Sequence, residues 1–184
     1  DEEVKSDEND TSQVKIEYTT VEIDNIDDLK KLFDDNKGKP FALNAGADVD
    51  VAFSADRLYV IKQNYDLFGG MTMDDVLKEI APHLTNECVV SDLKKLLHLF
   101  KDAGVETSVT PKDVGLLAYL VFGGRSFKDI VTLAAAANVS GDSVTAFFAI
   151  CDYLEKELES KDLSSLYHDI ELPLERVLFD MECA

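Results

Sequence analysis

The 184-residue chain predicts an α/β domain with a helical C-terminal part. Three features of the sequence point there. Short apolar runs lie between Phe41 and Lys62, amphipathic stretches flank them, and the pattern is almost wholly helical after Asp113. At 46% hydrophobic residues the chain can bury a core, and its length suits one domain.

Residues 1–13 hold six carboxylates and one lysine, which predicts a solvated acidic linker or tail, with the domain proper at 14–184. "VKIEYTTVEI" from Val14 alternates well enough for a strand or extended entry segment. "NIDDLKKLFDDNKGKP" places Ile26, Leu29, Leu32 and Phe33 at helical spacing, with Gly38 and Pro40 as the stop. Three strands follow, "FALNA", "VDVAFSA" and "RLYVIK", the last two joined as a hairpin at Ala55-Asp56. "TMDDVLKEIAPHL" is a helix capped by Thr72 and ended near Pro82. "ECVVS" is a short strand. "SDLKKLLHLFKDAG" is a helix capped by Ser91 or Asp92, with Leu93, Leu96, Leu97 and Phe100 on one stripe and Gly104 just past its end. "VETSVTP" is the expected last strand. Four helical segments then complete the chain, beginning at Asp113, Ser126, Ser140 and Asp162. No internal repeat is found.

Composition excludes several function classes. A net charge of −19 repels polyphosphate, so independent tight binding to DNA or RNA is not expected. No apolar run approaches the ~20 residues of a membrane span. Cys88, Cys151 and Cys183 are odd in number and far apart, in mostly apolar settings, which predicts reduced thiols rather than a disulfide frame. His83, His98 and His168 show no zinc spacing. The glycine pairs at Gly69-Gly70 and Gly123-Gly124 fit turns, not phosphate loops. The absence of an initial Met implies a fragment of a longer protein.

The tail "DIELPLERVLFDMECA" resembles the helix that joins the 3′–5′ exonuclease domain of bacterial DNA polymerase I to its polymerase domain. In that family a Glu, an apolar residue and Pro-Leu precede such a helix. Upstream, "SDLKKLLHLFKDAGVETSVTPKDVGLLAYLV" is similar to the family's helix, strand and helix around "NLKYD" and "FDTMLLAYLL". Asp113 and Leu116 to Leu120 match the latter block. The resemblance covers about residues 15 to 184. It implies a ribonuclease H-like fold of the exonuclease type, a mixed sheet flanked by helices. It also implies a bacterial, cytoplasmic, monomeric setting in DNA replication and repair. The expected partners are the polymerase and 5′-nuclease domains of the same parent chain, with DNA reached only through the parent enzyme.

Active members of the family cut a phosphodiester with two divalent metals held by carboxylates. The resemblance aligns the Asp-x-Glu of the first strand with Asn44 and Gly46, and the helical Asp of "NLKYD" with Leu96. It aligns the Tyr-x-x-x-Asp with Ala137 and Gly141, one residue short of Asp142. Asn44, Gly46, Leu96 and Gly141 are therefore degenerate positions, and no catalytic residue, cofactor or metal is expected in this domain. Magnesium is expected only in the parent's polymerase domain. Concerted loss has a physical reason, since two carboxylates ~4 Å apart repel by about 4 kcal/mol at an effective dielectric of about 20 once cations are gone. Three residues are candidate rescue ligands: Asp48, Asp50 and Asp142. Against that role, Asp48 and Asp50 read as the solvent face or turn of a hairpin strand, Asp142 as a helix-start carboxylate, and Asp113 as a helix-start residue too. The alternatives to a silent domain are an active metal-dependent exonuclease with relocated carboxylates and an acidic protein-interaction module.

Overall fold

A computed structural model of the chain describes residues 12–65 and 67–184, so residues 1–11 of the expected acidic tail lie outside the description. The segment from Val14 divides into two short strands, β1 (Val14–Lys15) and β2 (Thr19–Ile23). Helix α1 (Ile26–Asp35) is capped by Asn25, whose side chain accepts the Asp28 N–H, and Gly38 leaves it with φ +79°. Strands β3 (Ala42–Ala45), β4 (Val49–Ser54) and β5 (Arg57–Ile61) form an antiparallel meander, turned at Ala55-Asp56 as the sequence predicts. Helix α2 (Met73–Ile80) begins in a capping box between Thr72 and Asp75 and tightens into a 3-10 turn at Pro82. Strand β6 (Val89–Val90) leads to α3 (Leu93–Asp102), where Asp92 rather than Ser91 supplies the cap.

Strand β7 (Lys112–Asp113) corrects the expectation of a strand over Val105–Pro111. Pro111 carries no N–H for a ladder, and Thr107 and Asn86 side chains take the amides of Val109 and Thr110. The ladder therefore starts one residue beyond the proline, with Lys112 N–H donating to the Cys88 carbonyl at 2.9 Å.

Helices α4 (Val114–Val121) and α5 (Ile130–Ala136) follow; α5 starts four residues later than expected because Asp129 caps it. A second correction comes next. Asn138, at φ +56°, turns the chain out of α5 into β8 (Val139–Ser140), which pairs in parallel with β1. Ser143 then caps a 3-10 turn (Val144–Ala146) that runs into α6 (Phe147–Ser160). Before α7 (Leu172–Cys183) the helix widens into a π stretch, Leu166–Glu171. Pro173 cannot donate to the carbonyl four residues back, and the Leu172 N–H reaches Tyr167 instead.

The main sheet has the order β2-β5-β4-β3-β6-β7, with β4 the one antiparallel strand. Counted from β3, strands β3 to β7 run in the spatial order 3-2-1-4-5 with the second reversed. This is the ribonuclease H-like arrangement, a mixed sheet flanked by helices with further helices after it. Phe33 of α1 meets Phe41 and Phe53 edge-on, at ring centroids 5.2 and 5.5 Å, and so covers one face. The Val144–Ala146 turn packs on β3, β4 and β5, and α6 packs on β6 and α4. Cys88 and Cys151 are buried, Cys183 is half-buried, and all three are free. Among the described residues no helix is long and apolar enough to cross a membrane.

One buried carboxylate ties these parts together. Asp113, 4% exposed, accepts the Leu93 N–H of α3 at 2.9 Å and the Leu116 N–H of α4 at 3.1 Å. Its own N–H donates to the buried Tyr167 hydroxyl at 3.0 Å. The helix-start role expected of Asp113 therefore extends to two helices. Burial pushes its carboxyl up to about 7, against the opposing pull of the two amides. The folded state thus holds this proton more tightly than the unfolded chain does. The group's contribution is full below the ordinary carboxylate range and is lost as pH rises through about 7. Asp113→Asn keeps one acceptor and should cost about 1–3 kcal/mol. In urea titrations across this pH range, wild type should lose stability relative to the variant as pH rises.

Candidate functional site

Two of the four positions that the resemblance aligns with metal ligands, Asn44 and Leu96, line one crevice. Asn44, on central strand β3, lies directly opposite Asp50 on β4. Paired residues of an antiparallel ladder project to the same face, so both side chains point away from the α1 side. Asn44 accepts a hydrogen bond from the Ser91 hydroxyl at 3.0 Å, which joins β3 to the start of α3. Leu96, one turn into that helix, lines the same crevice as Asn44 and is 4% exposed. About 10 Å³ of free space remains between them, room for one water at most and none for a hydrated magnesium ion.

Gly46 stands exposed in the bend after β3, its N–H donating to the Asp48 carbonyl at 2.9 Å. A Cβ there would meet nothing closer than 3.8 Å, so packing does not demand glycine. Gly141 is the reverse case. A Cβ on it would meet the Ala146 Cβ at 2.7 Å and Ile16 at 3.6 Å, which leaves no room for any side chain. The neighbouring Asp142 faces the cleft instead.

That cleft, of about 530 Å³, is bordered by Asn44, Ser91, Lys95, Lys128, Asp129 and Asp142, among others. Its carboxylates are already engaged. Asp92 accepts the Lys95 N–H at 3.0 Å, and Asp129 accepts the Thr132 N–H at 2.7 Å and hydroxyl at 2.6 Å. Asp142 accepts the Tyr18 hydroxyl at 2.6 Å, and this bond raises the Tyr18 phenol above its ordinary value. The helix-start role expected of Asp142 is therefore corrected, since Ser143 supplies that cap and Asp142 binds a residue 124 positions away.

Asp50 also departs from expectation. It is half-buried on the Asn44 side rather than on a solvent face, and burial, then the Asp48 charge, raises its carboxyl. Asp48 lies half-buried in the bend between β3 and β4. Among the described residues no three His, Cys, Asp or Glu side chains are grouped to hold a metal ion. Sequence reasoning missed Ser91, Lys95 and Lys128 as parts of this cleft, and Tyr18 as the partner of Asp142 at its border. Nothing in their local patterns signals it, because Tyr18, the start of α3 (Ser91 and Lys95) and the approach to α5 (Lys128) come from distant parts of the chain.

No protein-family model matches the chain, and no curated protein matches it. Among solved structures it is similar to the EXO domain of Aedes aegypti Nibbler, at 13% sequence identity and a TM-score of 0.43, over 97% of each chain. The ribonuclease H-like assignment rests on strand order and direction within this chain.

Leu96→Asp places an unpaired charge in the crevice and should destabilise the fold by about 3–5 kcal/mol. Gly46→Asp adds a carboxylate in open space and should leave stability within about 0.5 kcal/mol. Thermal unfolding of the two variants beside wild type measures the contrast.

Proposed function

We propose that the chain is a catalytically silent 3′–5′ exonuclease-like domain of a bacterial DNA polymerase I, acting as a structural domain within a replication and repair enzyme of the cytoplasm. Its partners on this reading are the polymerase and 5′-nuclease domains of the same chain. DNA and magnesium belong to the parent enzyme. The observation that carries the reading is Leu96, a buried hydrocarbon packed beside Asn44 at the point where the resemblance calls for a metal ligand. The resemblance of "DIELPLERVLFDMECA" to the linking helix supports the polymerase context. So does the charge of −19, which leaves DNA binding to another part of the enzyme.

A second reading, an exonuclease with relocated carboxylates, draws on one observation. Asp50 faces Asn44 across the ladder and Asp142 borders the same cleft. The two readings separate in solution. A ligand that binds only the native state raises the melting temperature, so a silent site predicts no saturable rise with micromolar to millimolar manganese. It also predicts no degradation of end-labelled single-stranded DNA with magnesium or manganese. Cleavage abolished by Asp50→Asn or Asp142→Asn would establish the second reading.

A further inference from the structure

Helix α7 presents an apolar stripe to solvent. Leu174, Val177, Leu178 and Met181 follow helical spacing and are 39%, 50%, 36% and 69% exposed, and Ile170, 56% exposed in the π stretch just before α7, continues the stripe. The opposite face is engaged. Phe179 meets the His98 ring of α3 at 4.9 Å, and Arg176 donates to the Val109 carbonyl at 2.9 Å. Isolated exposed apolar residues are ordinary, but five on one helix face form a contiguous patch of the kind that marks an interaction surface.

The borders of the stripe select its occupant. Helical geometry sets Glu175 along one edge, with Glu171 just before it at the end of the π stretch, and Asp180 on the other edge. Glu182 is already paired with Lys94 and His98 of α3, each at 2.8 Å. Burial raises the Glu175 carboxyl, the Lys94 cation opposes it, and the neighbouring Asp92, Glu171 and Glu182 add smaller upward pushes. A second copy of the chain would set acid against acid, on a molecule that already carries −19. Anionic phosphate surfaces, lipid or nucleic acid, meet the same repulsion. A protein helix whose own apolar stripe is bordered by Lys or Arg matches both the apolar face and the sign of its edges.

We propose that α7 docks a basic amphipathic helix of a partner protein segment along Ile170 to Met181. The surface lies on α7, away from the cleft of Asn44, and holds whether or not that cleft cuts DNA.

The test uses the full chain and a fluorescent synthetic helix of about 18 residues, roughly 27 Å long, with a leucine stripe bordered by lysines. Two control peptides carry glutamate borders, or serine in place of the leucines. Anisotropy at about 0.15 M salt should give saturable micromolar binding of the lysine-bordered helix and at least tenfold weaker binding of both controls. Leu174→Ala with Met181→Ala should weaken it at least tenfold while leaving the melting temperature unchanged, because both side chains are exposed. Absence of binding overturns the proposal. So does equal affinity for the glutamate-bordered or serine-containing peptide, or indifference to the double substitution, which would mark a diffuse attraction of opposite charges. Self-association in sedimentation that the double substitution abolishes also overturns it, by assigning the stripe to a second copy.

Discussion

The architecture depends on a carboxylate with almost no water around it. Asp113 ends the edge strand β7 and accepts one first-turn amide from each of two helices, while its own amide is held by Tyr167 from the C-terminal helical tail. A lone buried charge is costly; the two amide donors offset only part of that cost, and only with both helices in place, so burial still holds the carboxyl up at about 7. The arrangement fixes where α3 begins. The position of α3 in turn sets Ser91 against Asn44 and turns Leu96 inward. Gly115 completes the junction, because a Cβ there would lie 2.5 Å from the Ser91 carbonyl oxygen, so α4 can approach this closely only without a side chain. The wall of the candidate site is thus built by hydrogen bonds and close backbone approach.

The same economy runs through the cleft. In a metal-dependent site, carboxylates remain available to cations, and mutual repulsion is tolerated because the ions neutralise it. Here Asp92 and Asp129 satisfy helix N-termini, Asp142 holds a tyrosine hydroxyl, and Leu96 of α3 lines the crevice with Asn44. Each of these arrangements lets the polypeptide stay folded without a cation. Asp50 is the exception. It is half-buried on the site face, and burial favours its protonated form.

Much of the fold was legible because it is written in local patterns. The stripe of α3, the Thr72 cap, the Ala55-Asp56 turn and the break at Pro82 are all read within a few residues. Two of the short strands were not, although β6 was. Lys112–Asp113 and Val139–Ser140 are two residues each and carry no periodicity; they exist because Cys88 and β1 offer partners from elsewhere in the chain. The site was legible in part for the same reason. Asn44 and Leu96 were placed through a family pattern, and the structure brings them into one crevice. Tyr18 bonding Asp142 across 124 positions had no sequence signal at all. The face of Asp50 depended on ladder register, which residue types do not dictate. Likewise, spacing alone predicts the stripe on α7 but cannot say whether it meets core or solvent.

The central claim, the proposed silence of the site, is that the end of the sheet at Asn44 does not gather divalent cations. Paramagnetic broadening of assigned amide signals by substoichiometric manganese tests it most directly, since the effect falls steeply with distance from the ion. The account predicts broadening spread over exposed carboxylates such as Asp27 and Asp28, with Asn44, Asp50, Ser91 and Asp142 affected no more than these. Selective, saturable loss of those four signals at low manganese would contradict it.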